Sequence, residues 1–77
     1  MTEQEAKFLD LFYERVGGRT DRKQSVLTRK IGTGEDVKNI ALARSLAEQA
    51  YLYSNSTCAH DDWYLSKEGK KWVESHR

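Results

Sequence analysis

Hydrophobic residues recur every three or four positions in the first sixteen residues, which is the spacing of one side of an α-helix. Thr2 and Glu5 are three residues apart, as in a capping box, where each side chain bonds the other residue's backbone N–H. The pair Gly17-Gly18 is typical of a left-handed helix stop. We therefore predict a first helix from Thr2 to Val16. Its apolar side comprises Ala6, Phe8, Leu9, Phe12, Tyr13 and Val16, with Leu11 outside it.

A second helix is predicted from Asp21 or Arg22 to Ile31, because apolar residues again have helical spacing there. Residues 19–24 are also compatible with a short strand, and the pattern leaves both interpretations open. The residues of this helix that are spaced to face a core are Val26, Leu27 and Ile31.

The third predicted helix runs from Glu35 to Ala50 and follows a turn within "IGTGED". The two glycines permit a tight turn, and Thr33 is placed to cap the helix. Asn39 is a polar residue close to the apolar stripe. The stripe consists of Ile40, Ala43, Leu46, Ala47 and Ala50, and Lys38, Ala41, Ser45, Glu48 and Gln49 lie opposite.

Residues alternate with a period of two in "YLYSN" and "DWYLS", which predicts the two strands of a hairpin. Each strand then has one apolar face and one face that carries tyrosines. The apolar face comprises Leu52, Trp63 and Leu65, and the other comprises Tyr51, Tyr53 and Tyr64.

A fourth helix is predicted directly after the hairpin, with Ser66 as its cap. Gly69 falls one turn into this helix, where glycine is normally unfavourable by about 1 kcal/mol relative to alanine. It shares a stripe with apolar residues, so we expect it to let the helix press against neighbouring backbone. The predicted buried stripe is Gly69, Trp72, Val73 and His76.

The chain has 77 residues and a net charge of +1, which indicates one small domain. No apolar run reaches the length of a membrane span, and the start does not resemble a signal peptide. The single cysteine, Cys58, excludes an internal disulfide and suits a reducing compartment. We therefore expect a cytoplasmic protein that has no membrane partner.

The order helix, helix, turn, helix, hairpin, helix resembles a winged helix-turn-helix domain. The stretch "LTRKIGTGEDVKNIALARSLAEQAYL", Leu27 to Leu52, resembles the second helix, the turn, the recognition helix and the step into the wing. The stretch "YLSKEGKKWV", Tyr64 to Val73, is similar to the exit from the wing in small bacterial or phage DNA-binding regulators. The resemblance implies a mainly helical α+β fold over residues 1–77, with a three-helix core, a short β-hairpin wing and a C-terminal helix.

The resemblance also implies binding of double-stranded DNA in transcription regulation, with the third predicted helix in the major groove. Dimers on paired half-sites are the usual solution for such small proteins, and the sequence leaves monomer and homodimer both open. Residues 15–30 carry six basic residues and one acid, which suits contact with phosphates. The residues assigned to DNA are Arg19, Arg22, Lys23, Arg29, Lys30, Thr33, Lys38, Arg44 and Ser45.

Two positions depart from the pattern of this family. The residue before the wing, usually glycine, is Ala50. The presumed wing, "SNSTCAHD", contains no lysine or arginine and ends at Asp61, beside Asp62. An acidic wing fits a basic protein surface better than DNA. The alternative function is therefore a phage- or plasmid-type interaction module that binds a host protein through Tyr51, Tyr53 and Tyr64.

No catalytic residue is assigned, and we do not expect an enzyme. Cys58 and His60 are two residues apart, but a metal site needs three or four ligands, and a nucleophilic cysteine needs an oriented partner. The stretch "GTGED" lacks the lysine and the spacing of a phosphate-binding loop. Neither a metal nor a cofactor is implied.

Overall fold

The computed structural model describes residues 1–26, 36–54 and 62–77. Within them, three helices combine with a three-stranded antiparallel sheet, so the fold is of the mixed α+β kind that the sequence predicts. The helices are α1 (Glu3–Val16), α2 (Asp36–Glu48) and α3 (Lys67–Ser75). The strands are β1 (Gln24–Ser25), β2 (Leu52–Tyr53) and β3 (Asp62–Leu65).

The first helix begins and ends as predicted. The Thr2 hydroxyl accepts from the backbone N–H of Glu5 at 3.1 Å, and the Glu5 carboxylate accepts from the backbone N–H of Thr2 at 2.8 Å. At the other end, Gly17 adopts a left-handed φ of 63°, and its N–H donates to the carbonyl of Glu14. The predicted apolar side supplies much of the core, through Phe8, Leu9, Phe12 and Val16.

The predicted start of the second helix is wrong. Gln24 and Ser25 form β1, in register with Trp63 and Asp62 of β3. A backbone that is extended to pair with a neighbouring strand cannot also form the i to i−4 bonds of a helix turn. The short strand that the sequence left open is therefore present, although it lies at the end of the expected range.

Val26 follows β1 and is fully buried, as predicted. The rest of the predicted second helix, with Arg29 and Lys30, lies outside the described residues. The same holds for Thr33 and for the tip of the presumed wing, residues 55–61.

The third predicted helix, α2, ends at Glu48, and Ala50 is exposed rather than part of the buried stripe. Ala50 is left-handed, with a φ of 69°. Its N–H donates to the carbonyl of Ala47 at 3.0 Å, and the N–H of Tyr51 donates to the carbonyl of Leu46 at 2.8 Å. This is the Schellman pattern that glycine usually completes. The helix therefore has a left-handed stop made by alanine.

The hairpin has the predicted alternation. Leu52 pairs with Leu65 and Tyr53 with Tyr64, and β3 lies between β1 and β2. Leu52, Leu65 and Trp63 are buried, whereas the two tyrosines lie on the opposite face. One hydrophobic core therefore lies between this sheet and the helices.

Ser66 caps α3, as predicted, by accepting from the backbone N–H of Gly69 at 2.9 Å. Gly69 and Val73 are buried and Trp72 is half-buried. His76 was predicted to be buried but is exposed, because it follows the end of the helix; its ring stacks on Trp72 at 4.0 Å between centroids. No helix in the described ranges is long and apolar enough to cross a membrane.

Candidate nucleic-acid interface

One side of α2 faces solvent. Ala43 and Leu46 are buried on the opposite side, whereas Lys38, Ala41 and Arg44 are exposed, one helical turn apart from each other. We call Lys38, Ala41 and Arg44 the exposed stripe of α2. Within the described part of the chain, no ion pair involves Lys38 or Arg44. Both cations therefore face solvent without a partner among the described side chains.

The stripe combines two long cations with a small residue between them. The methyl group of Ala41 leaves room for a surface to approach the helix closely, and the two charges lie on either side of it. Glu48 is also exposed, four residues after Arg44, and lowers the positive charge towards the C-terminal end of α2. Both cations of the stripe therefore lie on the N-terminal side of Glu48.

A groove of about 490 Å³ runs between α1 and α2 beside this stripe. Phe8, Leu11 and Leu42 contribute apolar surface to it, while Lys7 and Lys38 line it from the two helices. No acidic side chain is among its described lining residues. The groove therefore adds the charge of Lys7 to the N-terminal end of the exposed stripe.

Ser45 was assigned to DNA, and its hydroxyl is already engaged. Ser45 is half-buried and donates to the Oε2 atom of Glu5 in α1. The Nε2 atom of Gln49 donates to the same oxygen at 2.8 Å. The sequence predicts that Glu5 caps α1 but does not predict this second role. The capping-box spacing had marked the residue, but its partners are 40 and 44 positions away in the chain.

Glu5 is only 6% exposed, and no ion pair in the described ranges involves it. Hydrogen bonds from Ser45 and from the backbone of Thr2 lower the pKa of the Glu5 carboxyl to about 2, against the opposing effect of burial. Its position in the first turn of α1 also places it at the positive end of that helix. Glu5 is therefore a buried carboxylate held in the charged form by neutral donors.

Two of the three basic residues before β1 face acidic side chains. Arg19 pairs with Asp21 at 3.2 Å, which lowers the pKa of that aspartate. Lys23 lies 3.9 Å from Asp62 of β3, so the acid beside the presumed wing faces a cation. Arg22 is exposed, without an ion pair among the described residues.

The three tyrosines do not form one surface. Tyr53 and Tyr64 stack, with centroids 5.1 Å apart and rings inclined by 12°, and the Tyr53 hydroxyl donates to the carbonyl of Thr20 at 3.0 Å. Tyr51 is half-buried and meets Trp72 edge-on at 6.4 Å. Only Tyr53 and Tyr64 therefore remain together on the outer face of the sheet.

A metal centre has no basis in the described residues. Among the His, Cys, Asp and Glu side chains at positions 1–26, 36–54 and 62–77, no group of three or more could hold an ion. No protein-family model matches the chain, and no match was found among curated proteins or solved structures.

Proposed function

We propose that this protein binds double-stranded DNA as a winged helix domain, probing the major groove with α2 in the control of transcription. The observation that carries the proposal is the exposed stripe of α2, in which Lys38 and Arg44 are solvent-facing and free of ion pairs in the described chain. In helix-turn-helix proteins, the second helix of the motif lies in the major groove.

The order of elements supports this proposal. The first helix, α2, the hairpin and the last helix follow one another in the order that the resemblance implies, whereas β1 stands where the second helix was expected to begin. The hairpin is joined to α2 by the left-handed Ala50 and to α3 by the cap at Ser66. Both junctions are short, so the solvent-facing side of α2 keeps a defined orientation relative to the hairpin.

The chemistry of the exposed stripe suits a groove in duplex DNA. Arg44 can donate in bidentate fashion to the two acceptors of guanine, and the methyl group of Ala41 can contact the methyl group of thymine. Lys38 can reach a base acceptor or a phosphate. Arg22 and Lys23 would contact phosphates, which set the register rather than the sequence that is recognised. The assignments of Arg29, Lys30 and Thr33 stay predictions.

Fluorescence anisotropy with a labelled mixed-sequence duplex tests the proposal. We expect binding that weakens steeply between 50 and 200 mM salt, because bound cations release counterions from DNA. Lys38→Ala with Arg44→Ala should weaken binding and reduce the slope of log K against log salt by about 1 to 2. Lys67→Ala with Lys71→Ala removes the same charge from the exposed side of α3 and should have a smaller effect. Binding that is absent at low salt, or that ignores salt, would refute the proposal.

A second candidate function is favoured by the Tyr53–Tyr64 pair. Tyr53 is 43% exposed although it is a large aromatic residue in a strand, and such rings are enriched at protein interfaces. As an interaction module, the domain would bind a host protein through this outer sheet face. Tyr53→Ala would then abolish capture of that protein while leaving duplex binding unchanged, whereas Arg44→Ala would do the reverse.

A further inference from the structure

The Glu5 carboxylate links α1 to α2 at two successive turns. Its Oε2 atom accepts from the hydroxyl of Ser45 and from the side-chain amide of Gln49, the residue directly after α2. These are the only side-chain hydrogen bonds between α1 and this part of the chain among the described residues. We call Glu5, Ser45 and Gln49 the Glu5 anchor. It lies on the flank of α2 that also carries Lys38, two turns before Ser45.

From this geometry we infer that Glu5 is a positioning residue, which sets the rotation of α2 about its own axis and thereby aims the exposed stripe at DNA. The inference rests on the proposed function. Side-chain atoms lie about 5–6 Å from a helix axis, so a rotation of 20° moves them by about 2 Å. A hydrogen bond does not survive such a displacement. Two donors on successive turns that share one acceptor therefore oppose both rotation and sliding of α2.

The charge of Glu5 strengthens this constraint. Because no cation neutralises the buried carboxylate in the described chain, its neutral donors must all stay in place to keep it solvated. Hydrogen bonds to a charged group are roughly twice as strong as neutral ones. An α2 that rotated away would leave a buried charge with only its bonds from the first turn of α1. Apolar packing alone, with small alanines on the buried side of α2, would resist rotation less.

Glutamine at position 5 cannot reproduce the arrangement. One oxygen of Glu5 faces the N–H of Thr2, and the other faces the two donors from Ser45 and Gln49. A glutamine has a single acceptor oxygen and no charge. With that oxygen facing Thr2, its NH₂ group could bind Ser45 and Gln49 only if both turned to accept, and the resulting bonds would be neutral and weaker. Glu5→Gln should therefore loosen the Glu5 anchor without changing the size of the side chain.

Thr2→Ala supplies a control of matched location. It deletes the hydroxyl that caps α1 but keeps the backbone N–H of Thr2 that binds Glu5. The domain should lose stability, as after any loss of a cap, while the bonds from Ser45 and Gln49 stay in place. Gln49→Ala is a second test variant, which removes one donor from an exposed position and is therefore expected to fold.

Two readouts distinguish positioning from simple stabilisation. Residual dipolar couplings of backbone amides give the orientation of α2 relative to α1 in the free protein. The second readout uses two duplexes, one that the wild-type protein selects from a random pool and one of mixed sequence. The ratio of the affinities for these two duplexes measures how well the protein discriminates between base sequences. Both should be measured where every variant is fully folded. We expect Glu5→Gln and Gln49→Ala to alter the couplings of α2 and to lower the affinity ratio about tenfold, the value of roughly one base contact. Thr2→Ala should change neither.

The possible outcomes separate the two claims. Unchanged couplings in both Glu5→Gln and Gln49→Ala overturn the positioning role. Altered couplings with an unchanged affinity ratio overturn its role in base reading. If the wild-type protein selects no duplex while the couplings of Glu5→Gln are altered, DNA binding is refuted and Glu5 still positions α2. If Thr2→Ala changed both readouts as much as Glu5→Gln does, Glu5 would contribute to general stability rather than to the position of α2.

Discussion

The carbonyl oxygen of Tyr51 occupies the space that a side chain at Gly69 would need. A β-carbon built on Gly69 would lie 2.1 Å from that oxygen, and the backbone N–H of Ser66 donates to the same oxygen at 3.3 Å. The hydroxyl of Ser66 also donates to the carbonyl of Ala50. The start of α3 is thus packed directly on the backbone that leads out of α2, and this contact requires a glycine.

Gly69→Ala is expected to destabilise the domain by about 1–3 kcal/mol, because the added methyl group collides with backbone that cannot easily yield. Helix propensity alone predicts a gain of about 1 kcal/mol for the same change. Urea unfolding shows whether Gly69→Ala lowers or raises the free energy of unfolding. Glu68→Ala, at the exposed neighbouring position, is the control and should change the free energy of unfolding by less than about 0.5 kcal/mol.

Ala50→Gly is expected to stabilise the domain by about 0.5–1 kcal/mol. A left-handed conformation costs an L-residue roughly 1–2 kcal/mol, and the extra freedom of glycine in the unfolded chain offsets part of the gain. Ala41→Gly, in the exposed middle of the same helix, should cost about 1 kcal/mol instead. If thermal unfolding shows that Ala50→Gly stabilises the domain and Ala41→Gly destabilises it, the left-handed stop is supported. A loss of stability at both positions argues against it.

Asn39→Leu is expected to raise the free energy of unfolding by about 1–2 kcal/mol. Asn39 is completely buried, and neither polar atom of its amide has a hydrogen-bond partner among the residues that the structure describes. A buried polar group without a partner costs roughly 1–3 kcal/mol, and a leucine of similar shape avoids that cost. Asn39→Asp, with the same shape but a charge, should strongly destabilise the domain. A clear loss of stability in Asn39→Leu would mean that the amide is satisfied in solution.

The stability of the domain should depend on the charge of Glu5. The pKa of Glu5 is lowered from an ordinary value of 4.5 to about 2 in the folded protein, so the carboxylate contributes stability above pH 4.5. This contribution is lost as the pH falls from about 4.5 to about 2. Glu5→Gln should therefore be less stable than the wild type at neutral pH, and the difference should shrink towards pH 2. A constant difference in urea unfolding over this range would show that folding does not lower the pKa of Glu5.

Local patterns predicted much of this fold. The capping box at Thr2 and the cap at Ser66 each depend on residues within one turn. Helical spacing also places Gly69 on the buried stripe of α3, although the backbone that it approaches, at Tyr51, comes from a distant part of the chain. The two faces of the hairpin follow from the alternation of apolar and polar residues, which places Leu52 and Leu65 in the core. Such features are encoded by short-range spacing, so a single sequence is enough to find them.

The missed features depend on contacts between distant parts of the chain. β1 has only two residues, too few for an alternating pattern, and it exists because β3 pairs with it. The bonds between Glu5 and Ser45 join residues 40 positions apart. The alternating pattern places Tyr51 on the same face as Tyr53, but it does not show that Trp72 packs against Tyr51. The sequence shows Asn39 as a polar interruption of an apolar stripe, but it does not show that the amide is buried without a partner among the described residues.

If the exposed stripe of α2 contacts duplex DNA as we propose, NMR titration of the labelled protein with a duplex tests that contact most directly. We predict that the largest shift changes fall on the amides of Lys38, Ala41 and Arg44, that they weaken as salt is raised, and that the amides of Tyr53 and Tyr64 change little. Shift changes confined to the tyrosine face of the sheet, or none at low salt, would contradict the account.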